Sequence, residues 1–531
     1  MVLIERKKGL SPLSRVHLAI LAVGALFLIS TVIHENIWFD EAYTVALLSH
    51  DLGSMVHIAM DDVHPLLYYI VAWFVYFPTK SIVLLRLLSV VFAVLLAALG
   101  YTHIRRDFGE RVGLWFTALT FLLPSTVKYA GQMRMYTLAA LLVMLAAIYA
   151  YRFGHALLTD GRPDGRPDGR PDGRPAQGLL RRCVKGWNKN LLLFVLSSVA
   201  AASTHHFALA AVCFVNLYLL IFILIKNRAA IATFVTAAVA QVALYLPTAL
   251  IVLHQIGLNG AAGIRMEWRH VLTDTLAFHL LGDQKENAFG FSEAQYIFIQ
   301  AVAWGFFALM VGVAVRAFLQ KRPHSVPVLL SAGVYFGVLL AAWIVSAAIR
   351  PIFLERYTMV MYGLWIFGLS FACAHIRFKT VKAAIITLLS CILVLRTVPL
   401  YTANYGPELD DLRDYLDEQV EADDTFGYQN IVAFRLSVYY PEHTHYFYNF
   451  DGREHWDIED AYRAFENVTI FRRADEIGTT PASFGERIWL VNRNTHLYWE
   501  LTTNYGYTEV QSETFYLPYY NCTYEMILLT R

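Results

Sequence analysis

Pro65-Leu66-Leu67-Tyr68-Tyr69-Ile70-Val71-Ala72-Trp73-Phe74-Val75-Tyr76-Phe77 is an apolar run of 13 residues, and whether it crosses a membrane decides the sidedness of everything that follows it. A spanning helix needs about 20 apolar residues to cover ~30 Å of hydrocarbon, so the run is short. Charge settles its status. If it does not cross, Arg105, Arg106, Arg111, Arg181, Arg182, Lys185, Lys226, Arg228, Lys321, Arg322, Arg377 and Lys379 all fall on the side of the basic N-terminus, which carries Arg6, Lys7 and Lys8. That is the cytoplasmic excess of basic residues that orients membrane helices. If it does cross, every later loop violates the rule. The run therefore reads as an interfacial or re-entrant helix.

Working outward, the first span is Val16–Ile33, uncleaved because no small-residue cleavage site follows it. Further spans are Ser81–His103, Val112–Val127, Met135–Phe153, Asn190–Thr204, Phe207–Ile225, Ala229–Leu253, Gln295–Phe318, Val326–Ala348, Tyr357–His375 and Val381–Leu400, about eleven in all by the length rule. The expected fold is a polytopic all-α membrane domain over residues 1–400 with interfacial juxtamembrane helices. The N-terminus is then cytoplasmic. The loops at 34–80, 128–134, 254–294 and 349–356, and the tail 401–531, face outside.

Composition agrees. Of 531 residues 57% are hydrophobic and 16% charged, more apolar than soluble domains. With 43 basic against 42 acidic residues the net charge is +1, so no global field recruits nucleic acid. Cys183, Cys213, Cys373, Cys391 and Cys522 show no CxxC spacing and no disulfide framework.

The cytoplasmic loop 152–190 holds an Asp-Gly-Arg-Pro repeat from Asp160 to beyond Asp172, which forbids helix and sheet and reads as a flexible, dispensable insert. After Leu400 the pattern turns mixed. Glu408–Val420 reads as an amphipathic helix, and Arg487–Asn492 and Tyr524–Leu529 read as strands. The tail is thus expected to be a small extracytoplasmic α/β domain, and the triplets beginning at Asn467 and Asn521 suit that side.

Most conspicuous polar residues fall on the outer face. Asp40 and Glu41 follow the first span, and Asp61, Asp62 and His64 precede the short helix; Arg134 and Tyr136 open one span, His205 and His206 end another, and Arg350, Glu355, Arg356 and Tyr357 introduce a third. A guanidinium forks onto phosphate oxygens and stabilises charge as a phosphate leaves. A nearby carboxylate takes a proton from an attacking hydroxyl, and grouped carboxylates suit a hard divalent cation. Together these describe transfer from a lipid-linked phosphate.

The motifs Phe39-Asp40-Glu41-Ala42, Asp62-Val63-His64-Pro65-Leu66-Leu67-Tyr68-Tyr69, Arg134-Met135-Tyr136, His205-His206-Phe207 and Glu355-Arg356-Tyr357 resemble those of GT-C glycosyltransferases. The likeness is to the branch with protein O-mannosyltransferases and lipid A aminoarabinose transferases. It covers about the first 400 residues. The resemblance implies inverting transfer of a single sugar, with mannose the first candidate, from a polyprenyl or dolichyl phosphate carrier to a glycan, lipid or protein acceptor at the outer face of the cell envelope. It implies Asp40 as base with Glu41 beside it, and donor phosphate held by Arg134, Arg356, Tyr136 and Tyr357. Asp62, His64, His205, His206 and Glu355 then support the site. A divalent metal (Mg or Mn), not required by the sequence, would draw on Asp40, Glu41, Asp62 and His64. The short interfacial helix also fits the family. Where the family has a second proline after the histidine, this chain has Leu66, and the tail lacks the Trp-Trp-Asp-Tyr-Gly motif of oligosaccharyltransferases.

Blander readings remain for each residue. The two acids can cap a surface helix starting at Ala42, the arginines can snorkel, the histidines can be interface hydrogen-bonding groups, and Tyr68 and Tyr69 can be belt aromatics. Arg86, inside a span, reads as structural. Glu267, Trp268, His279 and Asp283 can shape an acceptor site. The competing function is a flippase for lipid-linked sugars without bond cleavage, which needs inverted repeats and mid-membrane ionisable groups; neither is evident here. A third reading keeps the scaffold without turnover.

Overall fold

A helix that is apolar all round is stable only inside a protein or against lipid, and this chain repeats that pattern from end to end. The computed structural model describes residues 11–159, 187–257, 266, 268–282, 292–322, 325–449, 463–471, 484–518 and 522–531. The basic N-terminus with Arg6, Lys7 and Lys8, the Asp-Gly-Arg-Pro repeat, Arg181, Arg182, Lys185, Glu267, Asp283 and Asn521 lie outside those residues.

Among the described residues nine helices are long and apolar enough to cross a membrane, and the protein is a polytopic membrane protein. Seven begin cleanly: α1 (Pro12–Ser30), α5 (Ile82–Leu99, continued by further turns to Phe108), α8 (Tyr136–Thr159), α10 (His206–Lys226), α11 (Ile231–Gly257), α13 (Glu293–Leu319) and α14 (Ser325–Ala348). The eighth combines a 3-10 turn (Glu355–Met361) with α15 (Tyr362–His375), and the ninth is α16 (Lys379–Tyr405). The last runs past the expected end at Leu400. Between these lie the short helices α2 (Phe39–Ser49), α3 (Leu52–Ala59), α4 (Leu67–Thr79), α6 (Glu110–Leu122), α7 (Pro124–Ala130), α9 (Lys189–Ala202) and α12 (Val271–Leu281).

Two of the eleven expected spans are shorter than foreseen. The run Val112–Val127 splits because Leu123 is extended ahead of Pro124, the conformation that a following proline imposes. The run Asn190–Thr204 ends as helix at Ala202. The 13-residue run read as interfacial forms α4, of 13 residues. The 254–294 loop contains α12, which the sequence reading did not foresee. His279 on it is buried and bonds to the Tyr335 hydroxyl at 2.8 Å, so it does not face an acceptor. Tyr68 and Tyr69 are both 0% exposed; they are core residues, not belt aromatics.

The tail folds as α17 (Glu408–Gln419), β1 (Thr425–Tyr428), α18 (Arg435–Tyr439), β2 (His445–Tyr448), β3 (Val468–Phe471), β4 (Arg487–Val491), α19 (His496–Asn504), β5 (Thr508–Leu517) and β6 (Cys522–Thr530). The sheet order is β3-β2-β1-β4-β6-β5. The first four are parallel neighbours, and β6 and β5 add antiparallel. Asp424, ahead of β1, accepts from Arg487 Nε at 2.7 Å and Trp489 Nε1 at 2.8 Å. Burial alone raises its carboxyl, and these bonds outweigh it and hold it below the usual range.

The tail and the juxtamembrane helices share one core. Ala42, Tyr43, Leu47, Met55 and Tyr69 pack in the same cluster as Leu412, Phe434, Phe447, Trp489 and Tyr524. The Tyr439 hydroxyl accepts from Ile37 N at 3.1 Å and donates to Glu35 O at 3.0 Å, and Arg413 pairs with Glu35 at 2.6 Å. Tyr439→Phe removes both of these hydrogen bonds, each worth about 0.5–1.5 kcal/mol. We expect faster proteolytic release of the tail in limited digestion, with the membrane domain intact. An unchanged digestion rate would show that the apolar core alone holds the tail.

Candidate functional site

Adjacent residues on a helix point about 100° apart, so Asp40 and Glu41 on the first turn of α2 cannot face the same way. Glu41 turns inward. Its carboxylate takes Arg86 Nη2 at 2.9 Å, with side chains 3% and 0% exposed. It also accepts from Met133 N at 3.0 Å and from Trp38 N at 3.4 Å. Arg86 binds His34 O at 2.5 Å and also Asn36 O. The helix starts at Phe39, not Ala42. These contacts correct the expectation of Glu41 as a catalytic or metal-binding group: both oxygens are spent on α5 and on backbone N–H groups.

Asp40 turns the other way. Its carboxylate lies 3.6 Å from Arg356 Nη1, with the two side chains 18% and 28% exposed. Arg356 comes from the 3-10 turn that leads into α15, and Glu355 opens that turn, half-buried. The Arg356 guanidinium lies 5.9 Å from the Trp38 ring and 6.0 Å from the Tyr357 ring.

Arg134 approaches from the turn before α8 and is buried. Its Nη1 donates to Asp40 O at 3.4 Å, Thr44 Oγ1 at 3.3 Å and the Tyr69 hydroxyl at 3.5 Å. Tyr69 in turn donates to Asp62 at 2.6 Å. Burial raises the Asp62 carboxyl above its usual range despite the nearby Arg134 charge. Sequence reasoning missed Tyr69, because its residue type and place equally fit an interfacial belt.

His64 and His205 join the same cluster. His64 and His205 sit with ring centroids 5.3 Å apart, His205 lies 5.1 Å from the Tyr357 ring and 5.9 Å from the Tyr136 ring. His206 faces away, its Nε2 3.0 Å from Val63 O. Burial, reinforced by the charge of Arg134, lowers His64 well below 6.5; burial likewise lowers His205. Asp61, left out of the expected site, bonds to His254 at 2.8 Å and lies 3.6 Å from Arg463 of the tail.

Five buried polar atoms in this cluster have no hydrogen-bond partner among the described residues: Arg134 Nε, Arg356 Nε, the Tyr136 hydroxyl, His64 Nδ1 and His205 Nε2. Buried polar groups are ordinarily paired, so their concentration here marks a place built to receive something polar. The charges give its sign. Glu41 is matched by Arg86 and Asp40 by Arg356, while Arg134 has no carboxylate within ion-pair distance among the described residues. Arg134 is thus a buried cation without a contacting carboxylate, which suits an anion. For a cation the fit is poor: among the described residues no three of His, Cys, Asp and Glu come together as metal ligands, and the expected set loses Glu41 to Arg86.

Two outcomes follow. Glu41→Gln removes one member of a fully buried pair, which typically costs about 3–5 kcal/mol; we expect a large drop in the thermal midpoint in detergent. Arg86→Gln should fall as far, and the double variant less than their sum. Independent drops would break the pairing. Because His64 and His205 are held neutral when folded but protonate near 6.5 when unfolded, the unfolded state binds more protons below that pH. Stability from this source is full above about pH 6.5 and is lost as pH falls. His64→Gln should therefore flatten the decline of the midpoint between about pH 7 and 5, read by scanning fluorimetry; an unchanged slope would refute it.

No family model matches the chain, and no curated protein matches it. Solved structures do. ArnT from Cupriavidus metallidurans in the apo state aligns over 98% of this chain and 98% of its own, at 13% identity and a TM-score of 0.48. ArnT from the same organism bound to undecaprenyl phosphate aligns over 97% of each chain, at 12% and 0.44. The apo oligosaccharyltransferase of Archaeoglobus fulgidus aligns over 79% of this chain and 63% of its own, at 11% and 0.37. Likenesses of this size say nothing of the chemistry, which rests on the side chains.

Proposed function

We propose that the protein is a membrane glycosyltransferase of GT-C type that moves a single sugar from a polyprenyl phosphate carrier to a hydroxyl acceptor. The observation that carries the reading is the Asp40 carboxylate 3.6 Å from Arg356, beside a buried Arg134 that no carboxylate neutralises directly. One guanidinium-rich wall and one partly exposed carboxylate are what such a transfer needs.

In the proposed step the acceptor oxygen forms a bond to the anomeric carbon while the bond from that carbon to the carrier phosphate breaks. The acceptor proton passes to Asp40, and the electron pair leaves on the phosphate. Arg356 and Arg134, with the Tyr136 hydroxyl, stabilise the charge that develops there. Tyr357 and the neutral His205 wall the pocket, and neutral imidazoles add no competing cation. Asp62 acts at one remove: through Tyr69 it holds Arg134 in place. Attack opposite the leaving phosphate inverts the anomeric carbon. The tail, packed on α2, restricts which acceptor reaches Asp40. The site-bearing ends of α8, α10 and the 3-10 turn are taken as outside the cell, which leaves the basic loops within.

The test is sugar transfer by the lipid-reconstituted protein from a panel of labelled polyprenyl phosphate sugars, including mannose. Asp40→Asn should lower turnover by at least about 10²–10⁴-fold, the usual range of a general base, while donor binding persists. Arg356→Ala should lower turnover and also weaken donor binding. Unchanged turnover in Asp40→Asn would sink the base assignment, and labelled lipid crossing the bilayer with its glycosidic bond intact would make the protein a flippase.

A further inference from the structure

At the opposite ends of the site-bearing helices lies a second feature that the transfer reaction does not use. A cavity of about 530 Å³ opens between α8, α10, α14, α15 and the turn at Phe108. Its depth is lined by apolar side chains such as Met144, Ile148, Val215, Val334, Leu364 and Phe367. Its lining cation, Lys226, lies at one end, where α10 finishes and α14 starts near Val326, while Tyr218 and Ser331 lie deeper. From Met144 to Leu158 on α8 the wall runs about 20 Å at 1.5 Å per residue.

We infer that this cavity binds one acyl chain of an anionic phospholipid from the leaflet opposite Asp40, with the lipid phosphate against Lys226. The shape is long, narrow and apolar, with a cation at its mouth. Lys226 is exposed and has no carboxylate partner among the described residues. A chain already in lipid gains little hydrophobic free energy by entering an apolar protein pocket, so packing and the headgroup contact must supply the preference. That is why the ligand is anionic.

The carrier's own tail is the wrong occupant. Its phosphate belongs at Arg134 and Arg356, so its chain would have to enter through the inner end. That end is shut. A Cβ built on Gly363 would lie 3.0 Å from Met144 Cβ and 3.2 Å from Leu96 Cδ1, so α15, α8 and α5 are in close contact between cavity and site. A chain that enters past Lys226 places its head there.

The test is native mass spectrometry of the full-length protein from detergent micelles with added phosphatidylglycerol or phosphatidylcholine. The wild type should retain one phosphatidylglycerol in preference to phosphatidylcholine. Lys226→Gln should lower that preference about five-fold, the value of one lysine near an anionic lipid surface. Ala147→Phe, which fills the cavity from α8, should abolish retention, and Val334→Phe does the same from the facing wall should the first variant not fold. Equal retention by wild type and either folded filling variant would overturn the proposal. So would competitive displacement of phosphatidylglycerol by polyprenyl phosphate, which would give the cavity to the carrier's tail. Neither readout depends on sugar transfer, so the two proposals fail separately.

Discussion

One buried ion pair sets the geometry from which everything at the candidate site follows. A guanidinium inside a helical bundle is tolerable only when its donors are matched, and Arg86 is matched by Glu41 and by the carbonyls of His34 and Asn36. That fixes the connection from α1 to α2 at both ends. Since Glu41 also accepts from Met133 N, the same carboxylate places the turn that carries Arg134. Asp40, one residue earlier and about 100° around the helix, then has one direction left, toward Arg356. A structural acid thus aims its neighbour.

The tail depends on the same helix. Its apolar face and that of α2 to α4 form a single cluster, His50 of the juxtamembrane segment bonds to Ala464 O at 3.0 Å, and its other nitrogen lies 3.1 Å from Glu466. Asp61 joins α11 and the tail through His254 and Arg463. The wall of the pocket that holds Asp40 is therefore not a loop free to drift. It is a helix pressed between the bundle and a folded α/β domain, the kind of support that holds reacting groups in register.

How much of this was legible in the sequence depends on what each signal encodes. Long apolar runs report burial directly, so most spans and the short helix after His64 were readable, and basic residues on alternate loops gave an orientation. The polar cluster was readable as a set because ionisable side chains at span ends are costly without a use. The resemblance singled out Asp40 as base, but the opposite directions of the two adjacent acids were not readable, since they turn on helical phase: a helix beginning at Phe39 and one beginning at Ala42 aim Asp40 and Glu41 differently. Nor was the pairing of Glu41 with Arg86, 45 positions away. Tyr69 escaped because the same residue suits a lipid interface and a buried hydrogen bond. Helix α12 escaped because an 11-residue apolar segment falls below the length of a span.

The charge balance of the pocket carries the last step. Over the whole chain 43 basic and 42 acidic residues nearly cancel, yet the cancellation is not local. Arg134 is buried with an unpartnered Nε, held by a carbonyl, a hydroxyl and a phenol, and Asp62 is hydrogen-bonded to that phenol. Burial raises the Asp62 carboxyl, which disfavours its charged form. A buried guanidinium without a directly opposed charge is a standing cost to the folded protein, and it is relieved by an anion in the pocket. The attraction is then strongest for a ligand that adds negative charge there, and stronger still for one whose charge grows as a bond breaks, because fixed dipoles and cations in a dry site act most where charge develops. A phosphate that becomes a leaving group would meet that description in full, whereas the phosphate of a lipid-linked sugar crossing unchanged would add charge without the growth.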